Sequence, residues 1–434
     1  MNLPNQVLLA LGIGTAAGLA LNVSGVSNTP WMEANVINGL FYVGGALFVN
    51  ALKMLVVPLV LFSLIPGILG IGDIRLLGRI GSKSFVLYML TTTIAISTAI
   101  GFAVLFDIGK GLTIPLEGDF GGKEAAKSFI DILVGIVPPN VFKAMVNADM
   151  LAIIFFSIFF GIALLIEVKQ SSDLVKVIEQ LNRVIMRMVE MVMVFAPYAV
   201  FCLVAKAIAE LGIDLVWQVG GYFLVIMFAL LFHAFVTQML LLKTLTGLSV
   251  PMFLRKVYTA QLFAFSTSSS GATIPVTMRT LQQRMGIDRS VTSFSVPFGA
   301  TINMDGTAMM QGVATVFIAN LYGIELGLGG YVTVVLTAVL ASIGTAAVPS
   351  VGLVMLTLVF AQVGLPVEAI AYIIGVDRIV DMTRTAVNVT GDAMVSAVVA
   401  KSENRIDLDV FNDPEAGNVE LDMPLHESSE NSTT

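Results

Sequence analysis

Very little in this sequence can form a disulfide, ligate a transition metal or carry charge. Its 434 residues include one cysteine, Cys202, and two histidines, His233 and His426. A single thiol excludes a disulfide framework and a multi-cysteine metal site. Two histidines so far apart in sequence make histidine-based zinc or haem chemistry a poor fit. Charge is scarce too: 12% of residues are Asp, Glu, Lys or Arg, against 56% hydrophobic. A soluble chain of this length needs far more charge to cover its surface. The N-terminus MNLPNQ lacks a basic n-region, and residues 7–23 run straight into an apolar span, so no cleavable signal peptide is expected.

Apolar sequence is what the chain has in abundance. Long runs recur to about residue 401, the pattern of a polytopic helical membrane protein. The net charge of −7 misleads, because residues 402–434 hold nine acidic residues and one arginine. That tail, rich in Asn, Ser and Thr and without helical period, reads as disordered and acidic.

Spans are expected over about 7–26 and 37–71, the second carrying Lys53 and Pro58. The loop 73–83, with Arg75, Arg79 and Lys83, is cytoplasmic by the positive-inside rule, which places the N-terminus inside. A third span, 84–106, carries Tyr88, Thr91 and Thr92 at helical spacing. Ordinary polar packing between helices explains those three as readily as a site does. A mixed-charge outer loop fills 107–128. A broken element follows over 129–167, interrupted at Pro138-Pro139 and at Asn147–Asp149, and then spans near 183–212 and 214–245. Lys243, Arg255 and Lys256 return the chain to the cytoplasm.

From there the pattern changes. Residues 251–282 and 330–365 are each too long and interrupted for one plain span. Each holds a small polar run ending in proline, SSSGATIP at 268–275 and SIGTAAVP at 342–349. Such runs make poor helix, and backbone unwound at membrane depth survives only where it is buried in protein or lines a cavity. Both read as re-entrant helical hairpins entering from opposite sides, an inverted repeat of the kind transporters use. Two spans broken by flexible packing are the plainer alternative. Between them, NMDG at 303–306 interrupts an apolar helix. An Asp-Gly step frees carbonyls, and Asn303 and Asp305 add side-chain oxygens, which is what a hard cation such as sodium wants. Without a cation, a buried Asp305 has to be protonated or paired.

The stretch 371–401 organises the rest. It is apolar enough to cross a bilayer, yet it carries Asp377, Arg378, Asp381, Arg384, Thr385, Asn388 and Asp392. Their spacing puts 377, 381, 384/385, 388 and 392 on one helical face ~22 Å long. A central Arg or Asp costs about 2.5–3.5 kcal/mol on insertion scales, so the stripe has to face partners, water or a ligand. A lone arginine in a membrane pocket needs an anion, and its planar fork favours a carboxylate.

SSSGATIPVTMR, NMDGTA, GTAAVP and DMTRTAVNVTGD, in this order and spacing, closely resemble the dicarboxylate/amino acid:cation symporters, the glutamate transporter family of prokaryotes and animal synapses. The resemblance covers the chain to about residue 401. It implies an all-α polytopic membrane protein of eight transmembrane helices plus two re-entrant helical hairpins, working as an elevator-type transporter. A homotrimer in the cell (inner) membrane, with both termini cytoplasmic, is implied as well. Scaffold helices would occupy 1–82 and 129–215. The transport domain would take the third span within 83–128 and all of 216–401, leaving 402–434 as the tail.

Residue roles follow from the same resemblance. Arg384 would hold the substrate's side-chain carboxylate and Asp381 its α-amino group, with Asn388 and Thr385 completing the pocket. Ser268, Ser269 and Ser270, together with Ala347, Val348, Pro349 and Gly352 of the second hairpin, would close on the α-carboxylate, and Thr307 would approach from the seventh span. One sodium position resembles Gly299, Asn303, Asn388 and Asp392. A second resembles Tyr88, Thr91, Thr92, Asn303 and Asp305. A third resembles the backbone of Thr301, Met304, Ser342, Ile343 and Thr345. Relatives that carry neutral amino acids usually lack an arginine at the place of Arg384, and C4-dicarboxylate carriers usually lack the Asp381 carboxylate. Proton-coupled bacterial relatives tend to have Asn where this chain has Asp392. The resemblance therefore implies uptake of aspartate or glutamate with sodium as the co-transported ion. Within transport the alternative is a C4-dicarboxylate or proton-coupled glutamate symporter. From other classes, the alternatives are an intramembrane aspartyl enzyme and an anion channel. One departure stands out: the second pocket arginine of many relatives is replaced by Ser268 and Met382 at its two usual places. Arg378, one turn below Met382, either substitutes for it or pairs with Asp377 or Asp305.

Overall fold

The computed structural model describes residues 3–69, 74–112, 134–147, 150–168, 172–343 and 351–417. Among these the regular structure is helical, apart from one isolated antiparallel bridge between Ile287 and Ile406. The first two helices run Leu3–Val23 and Tyr42–Leu69, the second entered through a wide turn at Glu33–Phe41. The third, Ile74–Leu105, begins inside the loop expected over 73–83. Ile74, Leu77 and Ile80 recur at helical spacing there with no proline between them, so the helix simply extends past its apolar section.

The single span expected over 183–212 is instead two helices, Asp173–Met193 and Ala196–Leu211. Pro197 explains the break: in a first turn its missing N–H is no loss, but it cannot continue a helix arriving from upstream. The sixth span is continuous, Ile213–Phe232 passing through a wide turn at His233–Thr237 into Gln238–Thr246. Arg79–Leu105 and Ile213–Thr246 are each long and apolar enough to cross a bilayer. Large apolar side chains also face outward, Trp217 at 76% and Tyr198 at 73% exposure among them. Such surfaces belong against lipid or another protein rather than water.

Both expected hairpins are helix pairs. The first joins Val250–Thr267 to Ser270–Arg279, and its break is narrower than the SSSGATIP run suggested. Only Ser268 and Ser269 leave the helix, Ser268 in the left-handed region at φ 51°. Ser269 caps the second arm by accepting from the Ala272 amide at 3.2 Å, and this lets Ser, Gly and Thr start a helix despite poor propensity. Pro275 lies inside that arm and withholds the donor that the Gly271 carbonyl would otherwise receive. The second hairpin pairs Gly327–Ser342 with Val351–Gln362; its tip, 344–350, lies outside the described residues.

The Asp377–Ser402 helix is buried along nearly its whole length. It packs against the long arm of the first hairpin, both halves of the broken seventh span and the third helix. Gln261 of the hairpin donates to the Thr390 hydroxyl at 2.9 Å and ties the first of these contacts.

Residues 403–417, expected to belong to a structureless tail, form an ordered strap instead. It carries a short helix, Leu408–Asn412, and lies across the base of the first hairpin and the start of the seventh span. The Asp407 amide donates to the Gly286 carbonyl at 2.8 Å, and the Asp288 amide to the Arg405 carbonyl at 3.0 Å. Lys256 is buried beneath it, its Nζ donating to the Arg284 carbonyl at 2.5 Å and the Val410 carbonyl at 2.7 Å, 5.6 Å from the centre of the Phe411 ring. Composition hides this because a few anchors, Ile406, Val410 and Phe411, hold an otherwise polar segment. Residues 418–434 lie outside the described residues.

Glu403 clasps the strap to the third helix by accepting from Lys83 and from Arg79. The Lys83 hydrogen bond, and then that of Arg79, hold its carboxyl below the usual range for glutamate. A lowered carboxyl contributes above its ordinary value, and the contribution is lost as pH falls through the lowered one. The clasp is therefore expected to survive acidification past about pH 4.3, where a free glutamate half-titrates. Hydrogen exchange over 403–407, followed down in pH, checks this. Glu403→Gln should raise exchange at neutral pH and remove the acid transition.

Candidate functional site

Arg384 is buried, with two carboxylates of its own helix around it. Its Nε donates to Asp381 Oδ1 at 2.9 Å, and its Nη2 lies 2.8 Å from the same oxygen. Nη1 reaches Asp377 Oδ1 at 3.4 Å. Arg378 approaches the other Asp381 oxygen at 3.8 Å, so of the partners left open for it the structure supplies neither Asp377 nor Asp305. Two glycines make room for this cluster. A Cβ on Gly306 would stand 2.7–2.8 Å from the Cβ, Cα and carbonyl of Arg384, and one on Gly352 would stand 2.4 Å from Nη1. The guanidinium thus lies flat against the backbone that opens the second arm of the second hairpin.

One turn further on, the stripe meets the break in the seventh span. Arg289–Ile302 stops, Asn303 and Met304 leave helical geometry, and Asp305–Leu321 begins. Asn388 Oδ1 accepts from the Gly306 amide at 2.7 Å, satisfying one donor at the new helix start, while its Nδ2 contacts the Met304 sulfur at 3.3 Å. Asn303 Nδ2 donates to the Asn388 carbonyl at 3.1 Å and to Asp392 Oδ1 at 2.8 Å, and its Oδ1 is buried without a partner among the described residues. The Tyr88 hydroxyl and Asp392 Oδ1 both press on Gly299, 2.5 and 2.4 Å from where a Cβ would be. Asp305 takes the Thr92 hydroxyl at 2.6 Å and the more distant Thr91 hydroxyl at 3.4 Å.

Two of the expected cation sets therefore converge on one break, and the pocket residues Asp381, Arg384, Asn388 and Gly352 converge beside it. Others stand apart. The hydroxyls of Thr385, Thr301 and Ser342 bond to carbonyls of their own helices. Among the described residues the Thr307 hydroxyl has only a 3.9 Å contact to the Met304 sulfur. Ser268 and Ser270 are buried at the first hairpin tip, with the Ser268 hydroxyl unpartnered among the described residues. Ile343 is buried at the last described position of the second hairpin's first arm, whereas Thr345, Ala347, Val348 and Pro349 lie outside the described residues.

One participant was missed. His233 Nε2 lies 3.0 Å from Asp305 Oδ2, both groups fully buried. The cost of an ionisable group inside an apolar span, the signal that exposed the stripe, would have marked it. Among the described residues no three of His, Cys, Asp and Glu gather as a metal cluster. The chemistry on offer is amide, carbonyl and carboxylate oxygen for a hard cation, beside a guanidinium and carboxylate for a zwitterion.

The sequence pattern of the sodium:dicarboxylate symporter family matches residues 3–402. The chain belongs to that family. It is accordingly a multi-pass membrane transporter and not an enzyme. Among symporters of known type it is 36% identical over 413 residues, 93% of either chain, to the proton/glutamate-aspartate symporter of Escherichia coli (strain K12). It is 31% identical to the proton/sodium-glutamate symport protein of Geobacillus stearothermophilus over 369 residues, 83% of this chain and 87% of the relative. An excitatory amino acid transporter of Caenorhabditis elegans shares 34% identity over 403 residues, 82% of this chain and 80% of the relative.

Proposed function

We propose that this symporter takes up aspartate or glutamate, driven by the sodium gradient. The observation that carries the ion is a pair of buried carboxyl groups with no basic side chain other than His233 beside them among the described residues. Asp305 and Asp392 flank the break in the seventh span, and neither has a lysine or arginine partner among the described residues. His233 reaches only one of them, Asp305. Buried carboxylates demand compensation, and oxygen-rich surroundings suit sodium. Bringing in an acidic amino acid against a negative-inside potential is uphill by about 2.3 kcal/mol per net charge per 100 mV, which more than one accompanying cation reverses. We assign Arg384 to the substrate side-chain carboxylate, Asp381 to its ammonium, and the two hairpins to gates. The eight-span count, the division into scaffold and elevator-like transport domain, the homotrimer and the cytoplasmic termini belong to the same reading.

Uptake by proteoliposomes under imposed sodium or proton gradients tests the coupling. Accumulation of labelled aspartate with sodium outside, and none with a proton gradient alone, is the expected result; the reverse sinks the sodium assignment. Asp381→Asn tests the substrate. In the closed pocket an unpaired ammonium loses roughly 3–5 kcal/mol, so aspartate should weaken by two orders of magnitude or more while succinate, without an amine, changes little. Equal losses for both would assign Asp381 to holding Arg384 alone.

A further inference from the structure

Away from the substrate and cation cluster, the end of the fold nearest the strap holds a cavity of about 540 Å³. Four elements wall it: the end of the sixth span with Lys243, the turn before the first hairpin with Ser249, the last turn of the Asp377–Ser402 helix with Lys401, and the strap with Leu408 and Asn412. Two lysines line it and, among the described residues, no carboxylate does. Among the described residues Lys243 donates only to the Gly247 carbonyl, at 3.1 Å. Lys401 has no ion pair or hydrogen-bonded side-chain partner among the described residues, and the side chains of Ser249 and Asn412 are equally uncommitted. Their neighbours differ. Lys83 and Arg79 are matched by Glu403, Arg255 by Glu415, Arg405 by Asp288, and Lys256 by two carbonyls. Those five cations each meet a carboxylate or two carbonyls, whereas among the described residues Lys401 meets neither and Lys243 meets one carbonyl of its own turn.

We propose that this cavity binds a phosphate oxyanion, with Lys243 and Lys401 as its charge partners and Ser249 and Asn412 as hydrogen-bond donors. Ammonium groups, a hydroxyl and an amide beside the N-terminus of the 18-residue Val250–Thr267 helix match the tetrahedral acceptors of a phosphate mono- or diester. An anionic lipid headgroup and a soluble phosphate share that chemistry, and Leu408, 40% exposed on the wall, suits an acyl chain. Leu408 and Asn412 belong to the strap, which Lys256 fastens to the first hairpin. A bound phosphate therefore ties the strap to the ends of the sixth and eighth spans. From the functional reading this takes only the placement of the face at the cytoplasmic surface; neither substrate nor coupling ion enters.

The full-length protein, in detergent and in phosphatidylcholine nanodiscs, is titrated with phosphatidylglycerol in one arm and inorganic phosphate in the other. Native mass spectrometry counts bound ligand, and hydrogen exchange reads protection of 408–412. Saturable binding of one ligand with added protection is expected, weakened about thirtyfold in Lys243→Gln/Lys401→Gln, as two lysines near an anionic surface are worth. Lys243→Arg/Lys401→Arg should retain binding, which separates lost charge from lost fold, and Lys110→Gln in the outer loop should change nothing. Binding in the lipid arm alone identifies a headgroup site, and binding in the phosphate arm alone a soluble ligand. No saturable binding in either arm, undiminished binding by the double glutamine variant, or equal weakening by Lys110→Gln overturns the proposal. None of these readouts involves transport, so a failure here and a failure of sodium-coupled uptake are separate results.

Discussion

Arg384→Ala is expected to abolish uptake of acidic amino acids, with aspartate affinity falling at least a hundredfold. Two losses coincide. The substrate loses its bidentate partner, and Asp377 and Asp381, both buried, lose the cation that now holds them at 2.8–3.4 Å. Stripping one member from a buried ion cluster costs roughly 3–5 kcal/mol. Arg384→Lys should also be poor, since an ammonium cannot span both carboxylates and lie flat on Gly352. Gly352→Ala separates geometry from charge: its new methyl displaces the guanidinium and removes no charged group. Aspartate binding to purified protein, with a thermal melt to confirm folding, decides the matter. Wild-type affinity in Arg384→Ala would falsify the pocket assignment. Normal affinity in Gly352→Ala would show that the guanidinium swings away from that backbone before substrate enters.

The second large effect is expected from Asp392→Asn. Asn303 now links the Asp392 carboxylate to the Asn388 carbonyl, and Asn388 in turn holds the start of the next helix through the Gly306 amide. A cation drawn to Asp392 and to the Asn303 oxygen, unpartnered among the described residues, thus touches Arg384's own helix and is two hydrogen bonds from Gly306, against which Arg384 packs. Removing the charge should weaken sodium and substrate together, because linkage between two sites is reciprocal, by a factor on the order of 5–150. Substrate binding titrated with sodium, potassium, choline and pH reads this directly. Steep, sodium-specific enhancement in the wild type that Asp392→Asn flattens is the expected pattern. Tight binding in choline, or dependence on protons alone, contradicts it.

How far such residues can be read from sequence depends on whether their partners are local. Asp377, Asp381, Arg384, Asn388 and Asp392 share one helix, so their 3.6-residue period and their cost in an apolar run were both visible. The NMDG break was legible because Asn and Asp-Gly disrupt helix by themselves. The partner of His233 was not, because Asp305 is 72 residues away and nothing in the sixth span repeats around the histidine, although its place in an apolar run marked the histidine itself. Arg378 shows the same limit at short range: periodicity set its face, but only packing chose Asp381 over Asp377 and Asp305. The strap failed for a different reason. Composition averages over a segment, whereas Ile406, Val410 and Phe411 act singly, each against a surface built from residues far upstream.

That distance has a consequence for synthesis. Lys256 meets the Val410 carbonyl across 154 residues, and the base of the first hairpin is closed by chain that follows the last span. At about 5–20 residues per second, the ribosome needs roughly 8–30 s to make the intervening chain. Through that interval the Lys256 ammonium and the Arg284 turn wait in the nascent protein without the segment that buries them. The hairpin is thus among the first parts of its half of the molecule to be made and the last to be locked, and a stalled ribosome leaves it open.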